Sequence, residues 1–184
     1  MALLHSSMVP LGTAAIDFKL PGVDGKEYSL KSFAVYKVIV IIFMCNHCPY
    51  VKAVIQRLID LQQEVLAQGV RLIGINCNDA INYPDDSFES MHSVSKGWKM
   101  NFPYLFDESQ EIAKKYDAVC TPDFFGYNKD LKLNYRGRIR ELNDLKPVGA
   151  GDSELLKSMK LIAETQQGPK EQHPSMGCSI KWFK

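Results

Sequence analysis

Between Lys37 and Asn76 the spacing of apolar residues changes twice, and those changes constrain the fold more than any other feature of the chain. Lys37 to Met44 (KVIVIIFM) is β-branched and nearly all apolar, which predicts a central strand covered on both faces. Val51, Val54, Ile55, Leu58, Leu61 and Val65 then recur at helical spacing. They predict a long amphipathic helix ending near Gln68-Gly69, where the glycine is a stop signal. Val70 to Asn76 (VRLIGIN) reads as a second buried strand, so the segment is a strand–helix–strand unit with a parallel pair.

The flanking sequence continues the alternation. Asp17-Phe18-Lys19-Leu20 and Tyr28-Ser29-Leu30 flank Gly22 and Asp24-Gly25, a hairpin signal. Residues 79–85 read as a loop before a helix over Ser87 to Lys99. Phe102 to Phe106 predicts a short strand, and Ser109 to Tyr116 a short helix with Ser109 as its N-cap. Asp123 to Tyr127 and Leu131 to Tyr135 predict two strands joined by a turn at Asn128-Lys129-Asp130. A last helix is expected from Asp152 or Ser153 to about Gln166. This order describes an α/β layer sandwich. A length of 184 residues suits one domain over 1–184, with residues 1–12 and the Gly- and Pro-containing tail 168–184 expected to pack loosely.

Charge and cysteine usage narrow the function. A formal net charge of +1 gives no reason to expect nucleic acid or an anionic membrane as partner. The longest apolar stretch, Val38 to Met44, is far shorter than the roughly 20 residues that span a bilayer. The first seven residues carry neither a basic segment nor a long apolar run, so a cytoplasmic protein is expected. Five cysteines is an odd number without the spacing of a secreted disulfide framework. A close pair in a reducing compartment points instead to catalysis or metal binding.

That pair is Cys45 and Cys48, in Cys45-Asn46-His47-Cys48, placed directly after the first buried strand and opening the long helix. The first N–H groups of a helix lack internal partners and carry partial positive charge, so a thiolate there is stabilised. Thiolate is the attacking species in disulfide exchange. Cys45, nearer the strand, is expected to be the more exposed sulfur and the nucleophile. Cys48 then attacks the mixed disulfide from within. Pro49 is tolerated in a first turn. His47, between the sulfurs, either stabilises the Cys45 thiolate as an imidazolium or is an ordinary exposed loop histidine. A structural zinc would need four ligands, and Cys77, Cys120 and Cys178 stand singly, so no metal is expected.

Ile16-Asp17-Phe18-Lys19-Leu20-Pro21-Gly22-Val23-Asp24-Gly25-Lys26, Phe43 to Val51 around the dithiol, Cys120-Thr121-Pro122-Asp123-Phe124-Phe125 and Gly177 to Trp182 together resemble the thioredoxin superfamily. Within it the chain is similar to a peroxiredoxin-like subgroup, bearing a Cys-x-x-Cys, of the alkyl hydroperoxide reductase/thiol-specific antioxidant branch. The resemblance implies a thioredoxin fold: a three-layer α/β/α sandwich with a central mixed sheet and an N-terminal β-hairpin extension. It also implies that Thr121-Pro122 is a cis-proline turn facing the dithiol, with the Thr121 backbone pairing with an incoming substrate strand.

Two departures bear on the reaction. The branch carries Pro-x-x-x-Thr/Ser-x-x-Cys around its peroxide-reactive cysteine. With Cys48 on that cysteine, the threonine position holds Cys45 and the proline position holds Ile41. The strand from Lys37 to Met44 also lacks the buried acid that thioredoxins use to move protons, and Val51 stands where the membrane-anchored reductases place theirs. Water, His47 or Lys52 is left for that task. Cys120 and Cys178 are accessory candidates, to trap an intermediate or resolve one; Cys77 is expected only to pack. Arg136, Arg138 and Arg140 are expected at a solvated strand edge, with anion binding as the alternative.

The leading expectation is a thiol–disulfide oxidoreductase or antioxidant protein using Cys45 and Cys48, with no bound cofactor. Its partners would be a disulfide-bearing protein or small molecule and an electron-donating dithiol system. The alternatives are a thiol peroxidase and a soft-metal-binding or redox-sensing module built on Cys45, His47 and Cys48.

Overall fold

The computed structural model describes residues 2–184. Its scaffold is a five-stranded sheet in the order β6-β5-β4-β8-β9. Strand β1 (Leu3–His5) and the hairpin β2 (Leu20–Pro21) and β3 (Glu27–Tyr28) precede it. Next come β4 (Val38–Phe43), α1 (Pro49–Val65), β5 (Val70–Asn76) and α2 (Phe88–Gly97). The chain continues through β6 (Tyr104–Phe106), α3 (Glu111–Lys115), β7 (Cys120–Thr121), β8 (Asp123–Tyr127) and β9 (Leu133–Tyr135). A small hairpin of β10 (Leu142–Asn143) and β11 (Lys146–Pro147), then α4 (Glu154–Thr165) and β12 (Met176–Ser179), complete it.

Strands β4, β5 and β6 run parallel, whereas β8 is antiparallel to β4 and β9 to β8, so the sheet is mixed. Every residue of β4 is buried, and its alternation feeds two cores. Val38, Val40 and Ile42 pack with α1 and α4 on one face. Ile39, Ile41 and Phe43 pack with α3, Phe18 and Leu20 on the other. This is the three-layer thioredoxin fold expected, and the βαβ unit falls where periodicity places it.

The start of α1 matters for the site. Cys48 is its N-cap residue and Pro49 occupies the first helical position, where no N–H is needed. The helix tightens into a 3-10 turn over Leu66–Gln68 and stops at Gly69, whose φ of +82° favours glycine.

Three expectations are corrected here. Ser109 is not the N-cap of α3: Gln110 holds that position, and the Asp107 carboxylate accepts from Ala113 N at 2.8 Å instead. The tail is not loose. Met176–Ser179 forms a strand between β1 and β7, Cys178 facing Leu3 on one side and Thr121 on the other. Gly177 allows that approach, since a Cβ there would lie 2.0 Å from the Thr121 carbonyl oxygen. Nor are the arginines a solvated edge. Arg136 is fully buried, ion-paired with Asp123 and stacked 3.8 Å from the Phe125 ring centroid. Arg138 binds Glu154, and Arg140 donates to the carbonyls of Gly149 and Gly151.

Candidate active site: a buried cluster of thiols at the start of α1

Four cysteines converge where β4 ends, α1 begins and β7 meets β12. All are free thiols: Cys45 and Cys48 from the turn, Cys120 and Cys178 from the paired strands. The Thr121–Pro122 bond is cis. Thr121 bridges the dithiol: its hydroxyl lies 3.5 Å from the Cys45 sulfur, and its carbonyl accepts from the Cys48 thiol at 3.1 Å. Cys120 is fully buried, with its sulfur 3.8 Å from the Pro122 carbonyl.

The expected exposure of Cys45 does not hold. Cys45 is 1% exposed and Cys48 0%, because β12 and the loop before α2 close over the turn. The two sulfurs are nevertheless unlike. The Cys45 thiol facing it, the Thr121 hydroxyl, the Cys178 thiol and the Val51 N–H all favour ionised Cys48, pulling it below the ordinary thiol range against the opposing effect of burial. On ionisation the Thr121 carbonyl contact turns repulsive, which opposes these donors. Cys45 moves the other way, raised by its interaction with Cys48, by burial and by the nearby Asp86 carboxylate. Cys178 is pushed up to about 12, chiefly by burial, and Cys77 and Cys120 are raised by burial too.

A second network anchors the turn through Asp86, which sequence reasoning missed. Its fully buried carboxylate accepts from Asn46 N at 2.7 Å, from Asn78 Nδ2 at 2.7 Å and from His47 Nδ1 at 2.6 Å. A carboxylate only accepts, so the His47 nitrogen facing it must carry hydrogen. Burial acts to raise Asp86, but these donors overcome it and hold the carboxyl low. The same hydrogen bond raises His47. His47 is half-buried and stacks on Tyr83, with ring centroids 5.7 Å apart, so it is not a free loop histidine. Asn46 is fixed by Tyr104 Oη at 2.9 Å and by the Asp85 carbonyl at 2.8 Å. Asp86 lies 39 residues after His47, in a 3-10 turn before α2, and no motif links the two.

Ligand-type atoms of Cys45, His47 and Asp86 lie within 4.8 Å of one another. Two donors on one tetrahedral metal, each about 2.0–2.1 Å from it, sit roughly 3.3 Å apart. The 2.6 Å His47–Asp86 contact is therefore a direct hydrogen bond as it stands. Lys52 is exposed on α1 and lies outside the thiol cluster. It lines an open groove of about 500 Å³ with Asn46, His47, Glu89 and Trp98, which leads to the flank of the turn.

The sheet order, the helix after the dithiol and the cis turn opposite it define a thioredoxin-fold protein. The chain belongs to the AhpC/TSA family, whose model matches residues 11–141. It is similar to the crystal structure of an uncharacterized conserved protein from Geobacillus kaustophilus, at 41% identity over 100% of this chain and 97% of that one, with a TM-score of 0.94. A hypothetical protein from Sinorhizobium meliloti 1021 is 33% identical over 97% of this chain and 98% of its own, with a TM-score of 0.91. A putative thiol:disulfide interchange protein DsbE from Chlorobium tepidum shares the fold at 20% identity, covering 84% and 98%, with a TM-score of 0.63. No curated protein matches the sequence.

Proposed function

We propose that the chain is a thiol–disulfide oxidoreductase working through Cys45 and Cys48, with Cys48 as the attacking sulfur and Cys45 as the thiol that closes the intramolecular disulfide. The observation that carries this reading is the placement of the Cys48 sulfur at the N-terminus of α1, faced by the Cys45 thiol and bridged to it by Thr121. The roles first expected of the two cysteines are exchanged.

The Cys48 thiolate attacks a disulfide R–S–S–R′, forming Cys48–S–S–R and releasing R′S⁻. Cys45 then loses its proton and attacks the Cys48 sulfur, releasing RS⁻ and leaving Cys45–S–S–Cys48. The Asp86–His47 pair has atoms within 4.8 Å of the Cys45 sulfur, and with its imidazole neutral it is the group placed to receive that proton, a task assigned earlier to water, His47 or Lys52. Two electrons from an external dithiol system restore both thiols. Burial of the sulfurs and the filled edge of β7 favour a small disulfide, entering by the groove beside His47.

Single-turnover reaction of the reduced protein, freed of reductant, with an aromatic disulfide such as 5,5′-dithiobis(2-nitrobenzoate) tests the assignment. Cys48→Ser is expected to lose the fast reaction, and Cys45→Ser combined with Cys178→Ser, which removes the other thiol of the cluster, to stop as a Cys48 mixed disulfide visible by intact mass. Equal loss in both variants with the adduct on Cys45 would reverse the roles. A peroxidase remains the second reading, favoured by the small size of a hydroperoxide relative to these buried sulfurs and opposed by Ile41 and Cys45 at the family's proline and threonine positions. A rate with hydrogen peroxide no better than that of free cysteine would exclude it.

A further inference from the structure

We propose that Cys178 is a second resolving thiol for Cys48, held in place by the chain's own C-terminal strand. The edge of β7 at the cis-proline turn is where an added strand would lie to bring a sulfur to the dithiol. That edge is already filled. Cys178 pairs with Thr121 and Ser179 with Cys120, so the expected pairing of Thr121 with an incoming strand is pre-empted by residues 176–179. The residue set opposite Thr121 is itself a cysteine, 4% exposed and packed in one cluster with Cys45 and Cys48.

The arm is fixed on both sides. β1 pairs along its outer edge, and Ser175 Oγ donates to the Pro122 carbonyl at 2.8 Å. Beyond it, Lys181 N donates to Asn78 Oδ1 at 2.9 Å and Phe183 N to Gln110 Oε1 at 2.9 Å. Cys178 is therefore held beside the dithiol by its strand pairing, in one cluster with Cys48. Asn78 also holds Asp86, so the arm and the turn carrying Cys45 share one support.

Two reactions lead to the same bond, and both rest on Cys48 being reactive as proposed above. In one, the Cys178 sulfur attacks Cys48 in the Cys48–S–S–R adduct, and the leaving RS⁻ takes the proton Cys178 gives up and departs as RSH. In the other it attacks Cys48 in the Cys45–Cys48 disulfide; that bond breaks, and Cys45 leaves as thiolate and takes the proton Cys178 gave up. No oxidant is needed beyond the substrate disulfide. The product ties β12 to the start of α1, returns Cys45 to a thiol and keeps the Cys48 sulfur in a reducible state.

The test is disulfide mapping by peptide mass after alkylation. Cys45→Ser treated with oxidised glutathione is expected to pass through a Cys48–glutathione adduct to a Cys48–Cys178 bond, releasing both glutathione thiols. A persistent adduct with Cys178 alkylated overturns the inference and leaves the dithiol reading standing. No reaction at Cys48 overturns both. In the unaltered protein, both Cys45–Cys48 and Cys48–Cys178 are expected across a series of glutathione ratios, and absence of the second at every ratio overturns the inference. Gly177→Ala, which forces the strand away from the Thr121 carbonyl, is expected to lower the share of Cys48–Cys178 relative to Cys45–Cys48. An unchanged share would also count against it.

Discussion

At the residue scale, two sulfurs three positions apart are given opposite characters by their surroundings. Cys48 faces donors and the helix terminus, whereas Cys45 faces burial and a carboxylate. The rate of iodoacetamide modification at Cys48 should therefore stay high through neutral pH and fall only as pH drops towards about 5, well below an ordinary thiol. A modification midpoint near pH 8.5 would contradict this. Asp86→Asn removes a negative charge that disfavours Cys45 thiolate and breaks the ion pair with His47. The pair has its own pH window. The raised His47 adds stability that is lost as pH climbs through its folded value, and the depressed Asp86 adds stability that is lost as pH falls through its own. Chemical denaturation should show the difference between unaltered protein and Asp86→Asn greatest between the carboxylate and imidazole ranges, shrinking at both ends. A pH-independent difference would mean that the pair does not form. Cys45, His47 and Cys48 were legible in the sequence because they are contiguous; Asp86 was not, because its place beside them is made by β5, the following loop and the 3-10 turn.

At the element scale, the parts that announce themselves are those with a long uninterrupted period. β4, α1 and β5 bury one stripe or both faces over whole lengths, so spacing alone locates them. Leu58 is fully buried in α1 against the sheet, and Leu58→Ala should cost about 2–5 kcal/mol with no change in the denaturant slope. A cost below about 1 kcal/mol would mean that α1 is not packed as described. β12 shows why other elements stay hidden. Met176, Cys178 and Ile180 do alternate with Gly177, Ser179 and Lys181, but the run is short, and its glycine and preceding proline read as loop. The glycine is present because a backbone passes close, which no propensity records. Ser109 likewise looked like a cap, yet Asp107 reaches the helix N–H from two residues further back.

At the scale of the whole molecule, the two ends of the chain meet on the cis-proline turn. β1 and β12 cover the Cys120–Thr121 edge, close over the dithiol and add a third thiol to it. A fold built to present a dithiol is thereby turned inward, with the strand edge at Thr121 already occupied by β12. No helix among the described residues is long and apolar enough to cross a membrane. We propose Cys45 and Cys48 as a working redox pair with Cys48 as its reactive member. The pair is tested most directly by poising the protein across glutathione ratios, trapping free thiols and mapping the bonds. A reversible Cys45–Cys48 disulfide is expected, with a midpoint inside the range of about −120 to −270 mV spanned by dithiol enzymes. Cys45 and Cys48 remaining unpaired with each other at every ratio would contradict the account.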